Sequence, residues 1–281
     1  MGQSLPDVAA INIHLTQCLQ NESLEVPVLP EAAQNVIALT QDPDSNAEDI
    51  AKIIQSDPTL GGHVMRIANS AAYTPNSNLV SIQQAIARLG MIEISTIALS
   101  TSMNSKIFKA PGYEQHIKAI WQHALASAFW SKETARAMRS NVEAAFLCGL
   151  LHSIGRPVIL QSIADINHDA KALDEEVLAG IYQQFEYGFS NTVAERWGLP
   201  ELVKDTIGYR ANFEENSPSA ELAATVHFGS RLAAQMLAEN MQLDDLLNVP
   251  ELGLVNLYPD QIETLLTKEP TVKSNMQALA S

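Results

Sequence analysis

The stretch LCGLLHSIGR, residues 147–156, decides how this chain is to be read. Leu147, Leu150, Leu151 and Ile154 recur at three- and four-residue spacing, which predicts a helix over about 142–154 with one apolar side. Gly155, with Pro157 beyond it, is expected to end that helix. His152 falls in its last turn and is followed by Ser153. Neighbouring side chains on a helix point about 100° apart, so Ser153 and His152 do not make a nucleophile–base pair. Cys148 lies one turn before His152, yet no activating carboxylate or oxyanion motif is legible beside it. The stretch therefore presents a histidine on an apolar helix without the partners of a serine or cysteine hydrolase.

Helix signals continue on both sides. Upstream, Ile117, Ile120, Trp121, Leu125, Ala128 and Phe129 form one broad apolar stripe on a helix expected over about 115–139, with His123 beside it. Ser45-Asn-Ala-Glu48 and Ser81-Ile-Gln-Gln84 have capping-box form, with serine as N-cap, and predict helices near 46–56 and 82–89. Pro30 and Pro58 suit the first turns of helices near 31–41 and 58–69. Asp57 reads as an N-cap, and Asn69 as a residue that tolerates the left-handed conformation ending a helix. The run SAAYTPNSNLV at 70–80 reads as a loop. Downstream, helices are expected near 190–197, after Pro200, and after Pro218, the last containing His227 as an ordinary packing residue. Segments near Leu243–Leu254 and Pro259–Leu266 add C-terminal helices, and the last ~12 residues are expected to fray.

Composition supports an all-α class. Glycine and proline number only 13 each in 281 residues and aromatics are 6%, while alanine and leucine recur throughout. The Ala110-Pro-Gly-Tyr113 turn divides the chain into an N-terminal extension at 1–20, a helical lobe at 21–112 and a second helical lobe at 113–281. Trp121, Trp130 and Trp197 read as core or inter-lobe fillers, with Trp130 off the main stripe and suited to packing the lobes together. Cys18 and Cys148 read as buried thiols in a reducing compartment. No membrane-spanning run or targeting segment is evident in the sequence, which leads to a cytoplasmic expectation. A net charge of −15, from 32 acidic against 17 basic residues, argues against direct nucleic-acid binding.

A family resemblance rests on specific strings. VPVLP at 26–30, SDPTL at 56–60, RIANSAAY at 66–73 and SIQQAIARLG at 81–90, followed by WQHALASA from Trp121, LLHSIG from Leu150, WGLP from Trp197 and AATVHFGS from Ala223, resemble the HDOD (HD-related output) domain over roughly residues 20–230. This is a degenerate branch of the HD phosphohydrolase superfamily, here expected as a stand-alone member. The resemblance implies a multi-helix HD-like bundle preceded by an additional N-terminal helical lobe. It also implies a bacterial signal-transduction role, with partner proteins in cyclic-dinucleotide or two-component pathways.

Against the HD pattern, His123 and His152 match its first two positions, and Ser153 replaces the metal-binding aspartate. Glu186 falls near an additional histidine position, Arg210 and Ala211 near a His-His pair, and Ser230 takes the place of a later aspartate. A neutral hydroxyl is a poor ligand for a hard cation, so the expectation is a relic site without metal, cofactor or catalysis. The alternative is a divergent metal-dependent phosphohydrolase using His123, His152 and Glu186. On the loop at 69–73, Arg66, Asn69, Ser70 and Tyr73 are candidates for an interaction surface.

Overall fold

A computed structural model describes residues 8–21, 24–42, 44–74, 79–103, 107–166, 172–208 and 219–280. Among these residues every regular element is helical, in agreement with the all-α expectation. The N-terminal lobe consists of α2 (Glu31–Gln41), α3 (Ala47–Ser56), α4 (Pro58–Ala68), α5 (Ile82–Leu89) and α6 (Met91–Ser102). The second group is built around α7 (Glu114–Met138), which packs along α8 (Val142–Leu151) and α12 (Ala220–Leu237). Beside them, α9 (Gly155–Ile166) lies on α10 (Glu175–Arg196), and α11 (Glu201–Gly208) touches α8, α10 and α12. The first helix, α1 (Val8–Gln20), rests on α9 and α10 rather than on the helices that follow it in sequence.

Local chemistry explains most helix starts. Asp57 accepts hydrogen bonds from the N–H groups of Thr59 and Leu60 at 2.9 and 3.0 Å, with Pro58 in the first turn where no N–H is needed. Ser81 caps α5 by accepting from Gln84 N at 3.2 Å. The cap of α3 differs from expectation. Asn46, not Ser45, is the N-cap, accepting from Glu48 N at 2.9 Å while Asp49 accepts from the Asn46 N–H at 3.2 Å. Asparagine is an equally good cap, and the register that uses it places an acidic residue at the third helical position.

Gly155 also has a different role from the one predicted. It opens α9 instead of closing α8, and residues 152–154 form a tight turn between them. A Cβ at Gly155 would lie 2.6 Å from Ser190 Oγ and 2.7 Å from the Glu186 carbonyl oxygen, so the missing side chain lets α9 start against the backbone of α10. Pro157 then sits harmlessly in the first turn of α9. Helix α10 begins at residue 175, far earlier than expected, with Asp174 accepting from Val177 N at 3.0 Å.

Two further expectations fail in the C-terminal region and in the apolar pattern. The last residues do not fray: α15 (Glu269–Ala280) buries Val272 and Ala278 and packs on α6 and α7, while α14 (Pro259–Leu266) also packs on α7. Between α12 and α14, a 3-10 turn at Asp244–Leu246 and the short α13 (Leu252–Val255) occupy the stretch expected as one helix. Val142–Ile166 is apolar and long enough to meet the composition of a membrane span, but 78% of its apolar window is buried inside the fold, as in the core helix of a globular protein.

The lobes share a continuous apolar core, and specific polar contacts join them. Lys132 of α7, 1% exposed, donates to both carboxylate oxygens of Glu93 on α6 at 2.9 Å and lies 5.8 and 5.6 Å from the ring centres of Phe129 and Phe146. Trp197 Nε1 donates to the Pro27 carbonyl at 2.7 Å, and Arg196 donates to the Leu24 carbonyl. Trp197 thus carries a lobe junction, whereas Trp130 is wholly buried with no hydrogen bond to its indole N–H.

Glu93 is also met at its exposed edge by Arg136 Nη2 at 3.4 Å, so Lys132→Met removes its buried partner without leaving it wholly unpaired and is expected to destabilise the protein by about 3 kcal/mol in urea denaturation. The double variant Lys132→Met/Glu93→Leu should recover most of that loss, since removing both charges also removes their desolvation cost.

Candidate functional site

Three close-packed helices bring the predicted histidines together. On α7, His123 faces the end of α8, and its ring centre lies 5.4 Å from that of His152. Gly149 permits this approach, because a Cβ there would lie 2.8 Å from Ala128 Cα. His152 Nδ1–H donates to the Gly149 carbonyl at 2.7 Å, which fixes the tautomer and leaves Nε2 as an acceptor. Ser230 of α12 brings its Oγ to 3.4 Å from that Nε2, and its main-chain carbonyl bonds His123. His123, His152 and Ser230 therefore form one contiguous group.

Ser153 does not join them. It is 2% exposed and faces the other side of the helix end, toward an apolar crevice lined by Phe108, Ile117, Ile120, Trp121 and Leu150. Glu186 on α10 does reach the histidine side, but Arg156 claims it. The guanidinium Nε donates to Glu186 Oε1 at 2.8 Å and Nη2 to Oε2 at 3.1 Å, and its carbon lies 5.2 Å from the Tyr182 ring centre. Arg210 lies outside the described residues, as does Ala211.

Electrostatics keep the histidines neutral. Burial lowers the His152 pKa to about 3, reinforced by His123, Arg156 and His227. Burial followed by the nearby Arg156 charge also lowers that of His123. A base this weak does not activate the Ser230 hydroxyl at neutral pH. Burial pushes the Cys148 thiol up to about 12, so it is inert as a nucleophile.

These residues do not fit a divalent cation. Two tilted, adjacent imidazoles lack a carboxylate of their own, the nearest one is engaged by a guanidinium, and that fixed positive charge lies beside both rings. Among the described residues, no three His, Cys, Asp or Glu side chains converge as a ligand set. The same residues instead border a cavity of about 260 Å³, walled by His152, Arg156, Glu186, His227, Ser230 and Thr206. His227, expected as ordinary packing, belongs to this wall. Arg156 and Thr206 were not singled out by sequence; the only available signal was the position of Arg156 one helical turn beyond His152.

The proposed surface loop is largely turned inward. Asn69 has φ −87° and ψ −1°, not the left-handed conformation expected, and its amide clamps the loop by donating to Leu79 O at 2.9 Å and accepting from Leu79 N at 2.7 Å. The Ser70 and Tyr73 hydroxyls are buried without hydrogen-bond partners. Burial and the neighbouring Glu93 raise the Tyr73 pKa, so the phenol stays neutral. Of the four candidates only Arg66 is exposed.

The family profile of the HDOD domain matches residues 26–213, two thirds of the chain. The chain belongs to the HDOD family. An uncharacterized protein of Treponema pallidum (strain Nichols) is 24% identical over 220 residues, covering 73% of this HDOD chain and 42% of the relative, so the chain spans less than half the length of that protein. Among solved structures, an HDOD domain protein of unknown function from Geobacter sulfurreducens superposes with a TM-score of 0.72 at 20% identity, covering 96% of this chain and 98% of its own. A candidate phosphohydrolase from Shewanella amazonensis gives 0.68 at 20% identity over 95% and 98% of the two chains. A candidate signal transduction protein from Marinobacter aquaeolei gives 0.67 at 22% identity over 100% and 68%. At these identities the likeness establishes a shared HDOD fold.

The neutral histidines predict a pH dependence with a definite sign. A histidine whose folded pKa is depressed binds its proton more readily when unfolded, so its contribution is complete above pH ~6.5 and is lost as pH falls toward about 3. Stability measured by urea midpoint should fall between pH 7 and pH 5, and His152→Asn should flatten that slope.

Proposed function

We propose that this HDOD protein is a non-catalytic regulatory module that works by binding other macromolecules of a bacterial signalling pathway. The observation that carries the reading is the division of the HD positions. His123 and His152 are held neutral beside Arg156, Glu186 is spent on that arginine, and Ser153 faces an unrelated crevice. Water activation on a phosphate ester needs a deprotonated ligand set around a cation, and here the positive charge is already supplied by a side chain.

Binding through protein contacts is the role that remains for a rigid helical scaffold of this kind. The net charge of −15 favours partners with basic surfaces, and cyclic-dinucleotide or two-component pathways are the proposed setting. Arg66, exposed at the end of α4 beside the clamped loop, is the proposed contact of the N-terminal lobe.

A divergent phosphohydrolase is the competing reading, kept in view by the two adjacent imidazoles. The test is metal analysis of the purified protein together with phosphodiesterase and nucleotidase assays in added Mn²⁺ or Mg²⁺. Substoichiometric metal and no turnover above buffer are expected. Stoichiometric metal with turnover abolished in His152→Ala would sink the regulatory reading.

A further inference from the structure

The cavity beside the histidines is far larger than the packing of five helices requires. Its volume of about 260 Å³ exceeds the ~30 Å³ share of a single water many times over. It lies among the ends of α8 and α9, the middle of α10, α11 and α12. Its wall combines apolar groups, Ile207 and Val226, with polar groups, among them Arg156, His152 and Ser230. Small-molecule sites have this mixed character.

Two of the polar groups are held in fixed states. Arg156 directs Nε and Nη2 at Glu186, an arrangement that leaves Nη1 outside the fork, and the Tyr182 ring supports the guanidinium from one face. A guanidinium immobilised in this way loses little entropy when it takes a further oxyanion. Close by, His152 spends Nδ1–H on Gly149 O, and its Nε2 accepts from the Ser230 hydroxyl at 3.4 Å. The lining therefore presents guanidinium N–H donors and, beside them, a hydroxyl held by an imidazole.

We infer that this cavity is a metal-free binding site for a small hydroxylated organic anion, whose carboxylate or phosphate meets Arg156 and whose hydroxyl donates to Ser230 Oγ, which in turn donates to His152 Nε2. The inference rests on the reading of the site as one without a metal, and goes beyond it by giving the module a chemical input. Glu186 offsets part of the Arg156 charge, so the incoming group gains from charge-assisted hydrogen bonds with the outer guanidinium N–H groups and not from net charge. The chain's overall negative charge repels anions at range, so affinity arises from contacts inside the cavity, not from steering.

The test is calorimetric titration of the intact protein with malate and, separately, with ribose 5-phosphate, which places the anion on a carboxylate in one arm and a phosphate in the other. Succinate and inorganic phosphate serve as counterparts without the hydroxyl. One hydroxylated probe should bind with a stoichiometry of one and at least tenfold more tightly than its counterpart. Arg156→Gln alone strands a buried carboxylate, so the informative variant is Arg156→Gln/Glu186→Gln, which removes the pair together; it should weaken binding at least tenfold, while Ser230→Ala should reduce the preference for the hydroxyl. No saturable binding by either hydroxylated probe, or binding unchanged in the double variant, would overturn the inference and leave the regulatory reading standing. Release of phosphate from ribose 5-phosphate would instead overturn the regulatory reading.

Discussion

Everything around the histidine group depends on how closely α8 and α12 approach α7. Two glycines set that distance. A Cβ on Gly149 would meet Ala128 Cα and Ser131 Oγ at 2.8 Å, and one on Gly229 would lie 2.3 Å from Ser131 Oγ and 2.6 Å from its backbone nitrogen. Ser127, Ser131 and Thr134 keep the facing side of α7 narrow, and all three are fully buried. Because interiors are close-packed, any widening of this seam moves His152 and Ser230 away from His123 together. Site geometry and core packing are here the same constraint.

Much of the helical framework was legible because its signals are local. Prolines in first turns, Asp57 and Ser81 as caps, and the apolar stripe of α7 each act within a few residues of themselves, and each located its helix closely. What failed depended on tertiary neighbours. Gly155 has the composition of a helix end, but its function is to let α9 touch α10, whose backbone lies more than thirty residues away in sequence. Val272 and Ala278 order the last helix by burial against α6 and α7, a benefit that end-of-chain position conceals.

The site was legible to the same extent. His123, His152 and Ser230 come together as the motif spacing implies, since each sits on a helix whose face the apolar pattern fixes. Ser153 separates from them because adjacent side chains in this helix-like turn point about 100° apart, which sends it into the apolar crevice. Arg156 was invisible for a different reason. Its importance comes from Glu186 and Tyr182 on another helix, and from the depressed charge states of two imidazoles that it never contacts in sequence.

The orientation of Ser153 also bears on what a substitution at that position could do. In a site that had lost one ligand and nothing else, a single codon change to aspartate would restore a carboxylate. Here the same change would drive a charge into a crevice of Phe108, Ile117 and Trp121, with no cation to receive it. Recovery of metal chemistry would require the turn at 152–154 to be rebuilt and Arg156 displaced at the same time. The geometry of one short turn thus means that an acidic residue at position 153 alone would not stand beside His152.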